Sequence, residues 1–166
     1  MSGENQPGIR YIQGDATNPQ GGGPKIIIHV VNNQGGWGAG FVLALSRRWR
    51  EPEHRYRSAG RLELGMVQLV PVEKDLDVAN MCAQMGYGRG NRNQHRTTEA
   101  DDAIPLRYDA LWSCLEQVAN FAKVAKASIH APRIGCGLAG GRWERVEPIL
   151  QETLAGIPVF VYDLVP

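Results

Sequence analysis

Only three cysteines occur in this sequence, Cys82, Cys114 and Cys136, and no two of them form a Cys-x-x-Cys pair. An odd, widely spaced set excludes a disulfide framework and the usual zinc patterns, and it fits a reducing cytoplasm. No metal site is indicated. No apolar run approaches the roughly 18 residues that span a bilayer. Residues 1–8 are polar and read as a flexible N-terminus, without the apolar stretch of a signal peptide. Neither sign of charge dominates, with 18 basic against 17 acidic residues and a net charge of +1. That argues against wholesale electrostatic binding to nucleic acid, although a local basic patch stays open. The hydrophobic share of 43% and charged share of 21% are those of an ordinary globular protein. At 166 residues the chain is long enough for one real core. The expectation is a single cytoplasmic domain over 9–166, acting as a monomer, without a membrane.

Glycine is what the sequence has in quantity, 20 residues in all. Gly135, Gly137, Gly140 and Gly141 follow an apolar stretch and precede an amphipathic segment with Trp143, Val146, Ile149, Leu150 and Leu154 on one helical face. No acidic side chain occurs between Arg133 and Trp143. A glycine-rich passage from strand to helix exposes backbone N–H groups, and the helix dipole adds partial positive charge, so it suits a phosphate. The plain alternative is a tight turn that needs glycine for positive φ. A second such loop, with Gly35, Gly36, Gly38 and Gly40 around Trp37, shifts the balance toward a ligand.

Taken in order, 9–13 alternates as a strand, and 25–31 is a nearly continuous β-branched run of the kind buried on both faces. A helix carrying Phe41, Leu45 and Trp49 on one side runs toward Pro52, which marks its end or a kink. A polar region with Arg55, Arg57 and Arg61 leads to strands at 66–72 and 77–83. Residues 86–103 lack apolar periodicity and read as a long loop of functional character. A helix from Leu106 turns Leu111, Leu115, Val118, Ala122 and Ala125 inward, and strands at 128–132 and 158–164 flank the last helix. The order β-β-α-β-β-α-β-α-β predicts a three-layer α/β/α sandwich around a mixed, roughly six-stranded sheet, with no internal repeat. Both glycine loops then fall at carboxyl ends of strands, where such sheets bind ligands. Gly135, Gly137 and Gly140 satisfy G-x-G-x-x-G, with Asp163 some distance on. That fingerprint normally opens its fold, whereas here one strand remains, so a dinucleotide-binding site is disfavoured.

Four motifs occur in order from Ile9 to the C-terminus: Tyr11 to Thr17, His29 to Phe41, Pro132 to Leu138, and Val159 to Asp163. Together they resemble a macrodomain, of the branch containing the terminal ADP-ribose protein glycohydrolase and the yeast-type ADP-ribose-1''-phosphatase. The resemblance implies a cleft for ADP-ribose or an ADP-ribosylated protein. On it, Asp15 accepts a hydrogen bond from the adenine amine beside the Ala16 backbone, although closing a local turn is the alternative role. Gly36, Gly38, Ala39 and Gly40 hold the diphosphate from one side; Ile134, Gly135, Cys136, Gly137, Leu138 and Ala139 hold it from the other. Tyr162 and Asp163 line the adenine end. Asn32 lies at the distal ribose with Asn33 beside it, and Trp37 either covers that ribose or anchors the loop. His29, inside an apolar strand, reads as a core histidine, and Cys136 as a packing residue.

On this resemblance, Gln84 and Ala139 fall where the glycohydrolase has its lysine nucleophile and acidic partner, and there the sequence departs from it. Neither side chain supports covalent chemistry of that kind. The expectation is therefore a cofactor-free hydrolase that removes mono-ADP-ribose from acidic side chains by attack of water at the distal ribose. Asn32, Asn33 and Gln84 orient water or ribose hydroxyls, with Asp101 or Asp102 as a conceivable base. The alternatives are an ADP-ribose-1''-phosphatase and a non-catalytic ADP-ribose reader.

Overall fold

A computed structural model describes residues 8–86, 104–137 and 139–164. Six strands form one sheet: β1 (Ile9–Gln13), β2 (Lys25–Asn32), β3 (Val67–Glu73), β4 (Leu76–Gln84), β5 (Ser128–Ala131) and β6 (Val159–Asp163). Their spatial order is β1-β6-β5-β2-β4-β3, parallel except for the β3–β4 pair. The helices are α1 (Phe41–Arg48), α2 (Glu51–Ser58), α3 (Tyr108–Ala125) and α4 (Trp143–Thr153).

The β-branched run of β2 explains the layering. Successive side chains of a strand point to opposite faces. Ile26 and Ile28 join the core beneath α3 and α4, while Ile27 and Val31 join a second core with Val42 and Leu45 of α1 and Tyr56 of α2. After β2 the chain passes through α1, α2 and β3 to β4 on one side; α3 then carries it back to β5 on the other. The loops leaving β2 and β5 thus depart toward opposite faces, and a crevice opens between them at the switch of strand order.

Two details differ from the sequence reading. Pro52 begins a helix instead of ending one: it sits at the start of α2, where its missing N–H costs nothing. The polar stretch around Arg55 and Arg57 is therefore helical, with Pro52 and Tyr56 turned inward. Ala125 is exposed, on the last turn of α3 before the left-handed Lys126. Residues 87–103, including Asp101 and Asp102, lie outside the described residues. Among the described residues no helix is long and apolar enough to cross a membrane.

Two histidines are buried in the sheet. His29 is 1% exposed, and its Nε2 lies 2.5 Å from Asn80 Oδ1. The Asn80 amide donates to Pro52 O and Gln68 Oε1, so Oδ1 faces the ring and His29 carries its proton on Nε2. His130 joins Ser128 Oγ and the Tyr162 hydroxyl, both at 2.7 Å. Burial drives both imidazoles down to about 4, with Lys25 adding to the effect at His130 and the Asn80 bond opposing it at His29. An unfolded histidine titrates near 6.5, so between about 4 and 6.5 the unfolded chain binds more protons. Stability is expected to fall as pH drops through that window. Urea midpoints should decline from pH 7 to 5.5, less steeply in His130→Gln; a midpoint flat over that range contradicts the assignment.

Candidate functional site

The crevice at the switch point is a cavity of about 620 Å³. Its first wall grows from the end of β2. The Asn32 side chain, 8% exposed, folds back on the following turn: Oδ1 accepts from the Gln34 amide at 2.9 Å and the Gly36 amide at 3.0 Å, while Nδ2 donates to Gly36 O at 2.9 Å. Tyr56 of α2 donates from its hydroxyl to both Asn32 O and Asn32 Oδ1. Trp37 then turns inward at 4% exposure, its ring beside His29 and Tyr56 and its indole N–H donating to Ser46 Oγ at 2.8 Å. It is a buried loop anchor that also contributes to the cavity wall.

With the turn fixed, Gly38, Ala39 and Gly40 face the cavity, and α1 starts there. Gly40 takes φ 81°, and α1 has neither a side-chain cap nor an acidic residue in its first turn. The first amides of a helix have no internal partner. In α1 they belong to Gly40, Phe41 and Val42, all on the cavity wall.

The second wall is the loop after β5. Gly141 donates to Gly135 O at 2.7 Å and Gly140 to Gly137 O at 3.0 Å, curling the loop over Leu106. Leu106 is fully buried and bonds through its amide to Ala139 O at 3.1 Å. Glycine is required here by close approach. A Cβ on Gly141 would lie 2.3 Å from Leu106 and 2.6 Å from Gly135 O; one on Gly135, already at φ +73°, would lie 2.9 Å from Leu106. Gly135, Gly137, Ile134 and Ala139 line the cavity, whereas Trp143 at the start of α4 does not. The helix terminus that reaches the cavity is therefore that of α1, and the second loop contributes its own backbone.

Of the residues expected at the site, Asn32, Gly36, Trp37, Gly38, Ala39, Gly40, Gln84, Ile134, Gly135, Gly137 and Ala139 line this one cavity. Asn33 does not: its Oδ1 accepts from the Gly86 amide at 2.9 Å. Gln84 also reaches Gly86, donating from Nε2 to its carbonyl at 3.1 Å, which leaves Oε1 for the cavity. Asp15, Ala16, Tyr162 and Asp163 do not line the cavity; they sit at or just past the carboxyl ends of β1 and β6, on the same edge of the sheet. Asp15 Oδ1 accepts from the amide and hydroxyl of Thr17, both at 2.8 Å, so this carboxylate does close a local turn. Tyr162 accepts from the Gln20 amide, which fixes the loop after Asp15. Cys136 packs against the core, and burial pushes its thiol up to about 11, so it is no thiolate at neutral pH. Leu138 lies outside the described residues.

Two arginines also stand on the wall, where no pattern in the sequence puts them. Arg133 forms a two-pronged ion pair with Asp163, at 2.7 and 3.0 Å, and lies against the rings of Tyr11 and Trp143. That guanidinium holds the Asp163 carboxyl below the usual carboxylate range. Arg57 of α2 stands at the opposite end, near the Asn32 turn. None of the described residues lining the cavity carries a carboxylate. With two cations and two sets of backbone amides, the site suits a dianion flanked by polar groups. Among the described residues no cluster of three metal-binding side chains occurs.

No family model matches the chain. A macrodomain protein from Streptomyces coelicolor is 47% identical and superposes at a TM-score of 0.75, with 93% of this chain and 98% of that one covered. A protein of unknown function from Bacteroides thetaiotaomicron is 49% identical at a TM-score of 0.85, covering 95% and 99%. The chain belongs to the macrodomain family. Among curated proteins, the mouse chromodomain-helicase-DNA-binding protein 1-like is 34% identical over an alignment of 167 positions that covers 93% of this chain and 17% of that protein. The chain thus spans about one sixth of that relative's length. The ADP-ribose 1''-phosphate phosphatase of Saccharomyces cerevisiae is 23% identical, with 94% of this chain and 98% of that protein covered.

The packing of the second loop is directly testable. Gly141→Ala forces backbone apart and is expected to cost about 1–3 kcal/mol, lowering Tm by roughly 3–10 °C. Gly137→Ala, with nothing within 4 Å of the new Cβ, should leave Tm unchanged. Equal melting of Gly141→Ala and wild type contradicts the close approach.

Proposed function

We propose that the chain binds ADP-ribose in this cavity and hydrolyses the bond at C1'' of the distal ribose, releasing mono-ADP-ribose from acidic side chains of modified proteins. The observation that carries the reading is a cavity between two glycine loops with no carboxylate among its described lining residues and with the first amides of α1 on one wall. In this reading the diphosphate lies between Gly38–Gly40 and Gly135–Gly137. The adenine extends toward Asp163 at the end of β6 and Asp15 after β1, two and three strands from β2, spans of about 10 and 14 Å at the usual strand spacing. The distal ribose then falls at Asn32 and Gln84.

Chemistry at such a site relies on orientation and charge. Gln84 Oε1 accepts from a ribose hydroxyl or the attacking water. Asn32 acts by fixing the turn that carries the first wall, since its oxygen is already committed to three donors. Preorganised amides stabilise charge without reorganising during the reaction. An ester of an acidic side chain is labile enough for a site without a strong acid–base pair. The similarity to the yeast phosphatase favours removal of a 1''-phosphate as a second reading, and a reader without turnover is the third.

Calorimetric titration with ADP-ribose, with AMP and NAD as controls, tests the ligand. A Kd of about 1 μM, corresponding to roughly −8 kcal/mol, and much weaker AMP binding are expected. Release of ADP-ribose from a glutamate-modified protein then tests the reaction. Absence of heat with ADP-ribose overturns the reading; binding without release identifies a reader, and phosphate release from ADP-ribose-1''-phosphate alone a phosphatase.

A further inference from the structure

Arg57 is half-exposed on α2, and its guanidinium is supported from three sides. Its Nε donates to Glu53 Oε2 at 2.8 Å, and Nη1 and Nη2 point to the carbonyls of Gly35 and Trp37 at 3.5 and 3.4 Å. Glu53 Oε1 accepts from Ser46 Oγ, which in turn accepts from the Trp37 indole. The side chains therefore close a ring that begins and ends at Trp37, on the turn that Asn32 organises. The Arg57 and Ser46 bonds hold the Glu53 carboxyl below its ordinary range, so it stays ionised.

The two contacts to carbonyls are longer than the 2.7–3.2 Å of a well-formed N–H···O bond. A guanidinium has five donors in a planar fork that matches a carboxylate. Here Nε is firmly held, the outward nitrogens are weakly used, and Arg57 is one of the residues of the cavity wall. Arg57 is thus a preoriented cation beside Asn32, at the end of the cavity remote from Asp163. Arg133, at the other end, is already satisfied by both oxygens of Asp163.

The geometry points to Arg57 as the residue that receives the departing carboxylate, an inference that rests on hydrolysis at C1''. Water oxygen bonds to C1'' as the bond from C1'' to the ester oxygen breaks. The electron pair leaves on the carboxylate, and the water proton passes to solvent. Negative charge grows on the leaving oxygens, and the outward face of Arg57 meets them there, exchanging two long carbonyl contacts for charge-assisted ones. Glu53 is a positioning residue in this scheme. It fixes the Arg57 rotamer without touching substrate.

The test compares wild type, Arg57→Gln and Arg57→Lys on ADP-ribosyl esters of carboxylic acids of graded acidity, with ADP-ribose affinity measured by calorimetry. Arg57→Gln is expected to lower kcat about 100-fold on the glutamate ester, with the Kd for ADP-ribose within about threefold of wild type. Its loss should shrink for esters of stronger acids, whose carboxylates need less stabilisation. Arg57→Lys, which keeps the charge but not the fork, should recover part of kcat. A loss equal for every ester, or weakened ADP-ribose binding with kcat intact, assigns Arg57 to loop support and overturns the inference while leaving the hydrolase reading in place. Wild type that binds ADP-ribose yet cleaves no ester removes the hydrolase reading, and this inference with it.

Discussion

Asn32 spends both halves of its amide on the turn that follows it, and the first wall of the cavity hangs from those bonds. Its oxygen gathers two backbone amides and the Tyr56 hydroxyl, and its nitrogen returns to the Gly36 carbonyl. Only a side chain that both donates and accepts can do this at one place. Aspartate would lose the donor, and alanine would leave buried amides unpaired. Because the turn is closed from within, Trp37 can be driven into the core below α1 while Gly38, Ala39 and Gly40 stay on the wall of the cavity. Tyr56 carries the same constraint to α2, and through α2 to Arg57.

The opposite wall is held by shape. Leu106 fills the space under the second loop so completely that Gly135 and Gly141 have no room for a Cβ. Neither wall depends on a titratable group near neutrality, since the buried histidines and Cys136 are kept neutral by desolvation. The site is thus set by backbone amides and two arginines whose rotamers are fixed by carboxylates. Such an arrangement favours binding and orientation over proton transfer. Gln84 and Ala139, both on the cavity wall, add no acid or base to it.

Much of this was legible in the sequence because it is local. The β-branched run of β2, the glycine clusters and the order of strands and helices each follow from short-range pattern, and they place both loops at strand ends. Pro52 misled because a proline that begins a helix and one that ends it look alike until the following residues are placed. Arg57 sits in a polar stretch whose helical character is hidden for the same reason. Arg133 with Asp163, Tyr56 with Asn32, and Leu106 with Gly135 are pairings across 24 to 30 residues; nothing in local periodicity announces them. Asn32 does line the cavity, but its hydrogen bonds run inward to the turn, a matter of rotamer that a sequence does not carry.

A crystal structure of the protein with ADP-ribose is the decisive measurement. The diphosphate is expected within hydrogen-bond distance of the Gly38–Gly40 and Gly135–Gly137 backbones, the distal ribose beside Gln84 and the Asn32 turn, and the adenine toward Asp15, with the 34–36 turn unmoved. A ligand bound in the reverse direction, or an Asn32 side chain released from Gly36 to grip the ribose, would contradict this arrangement.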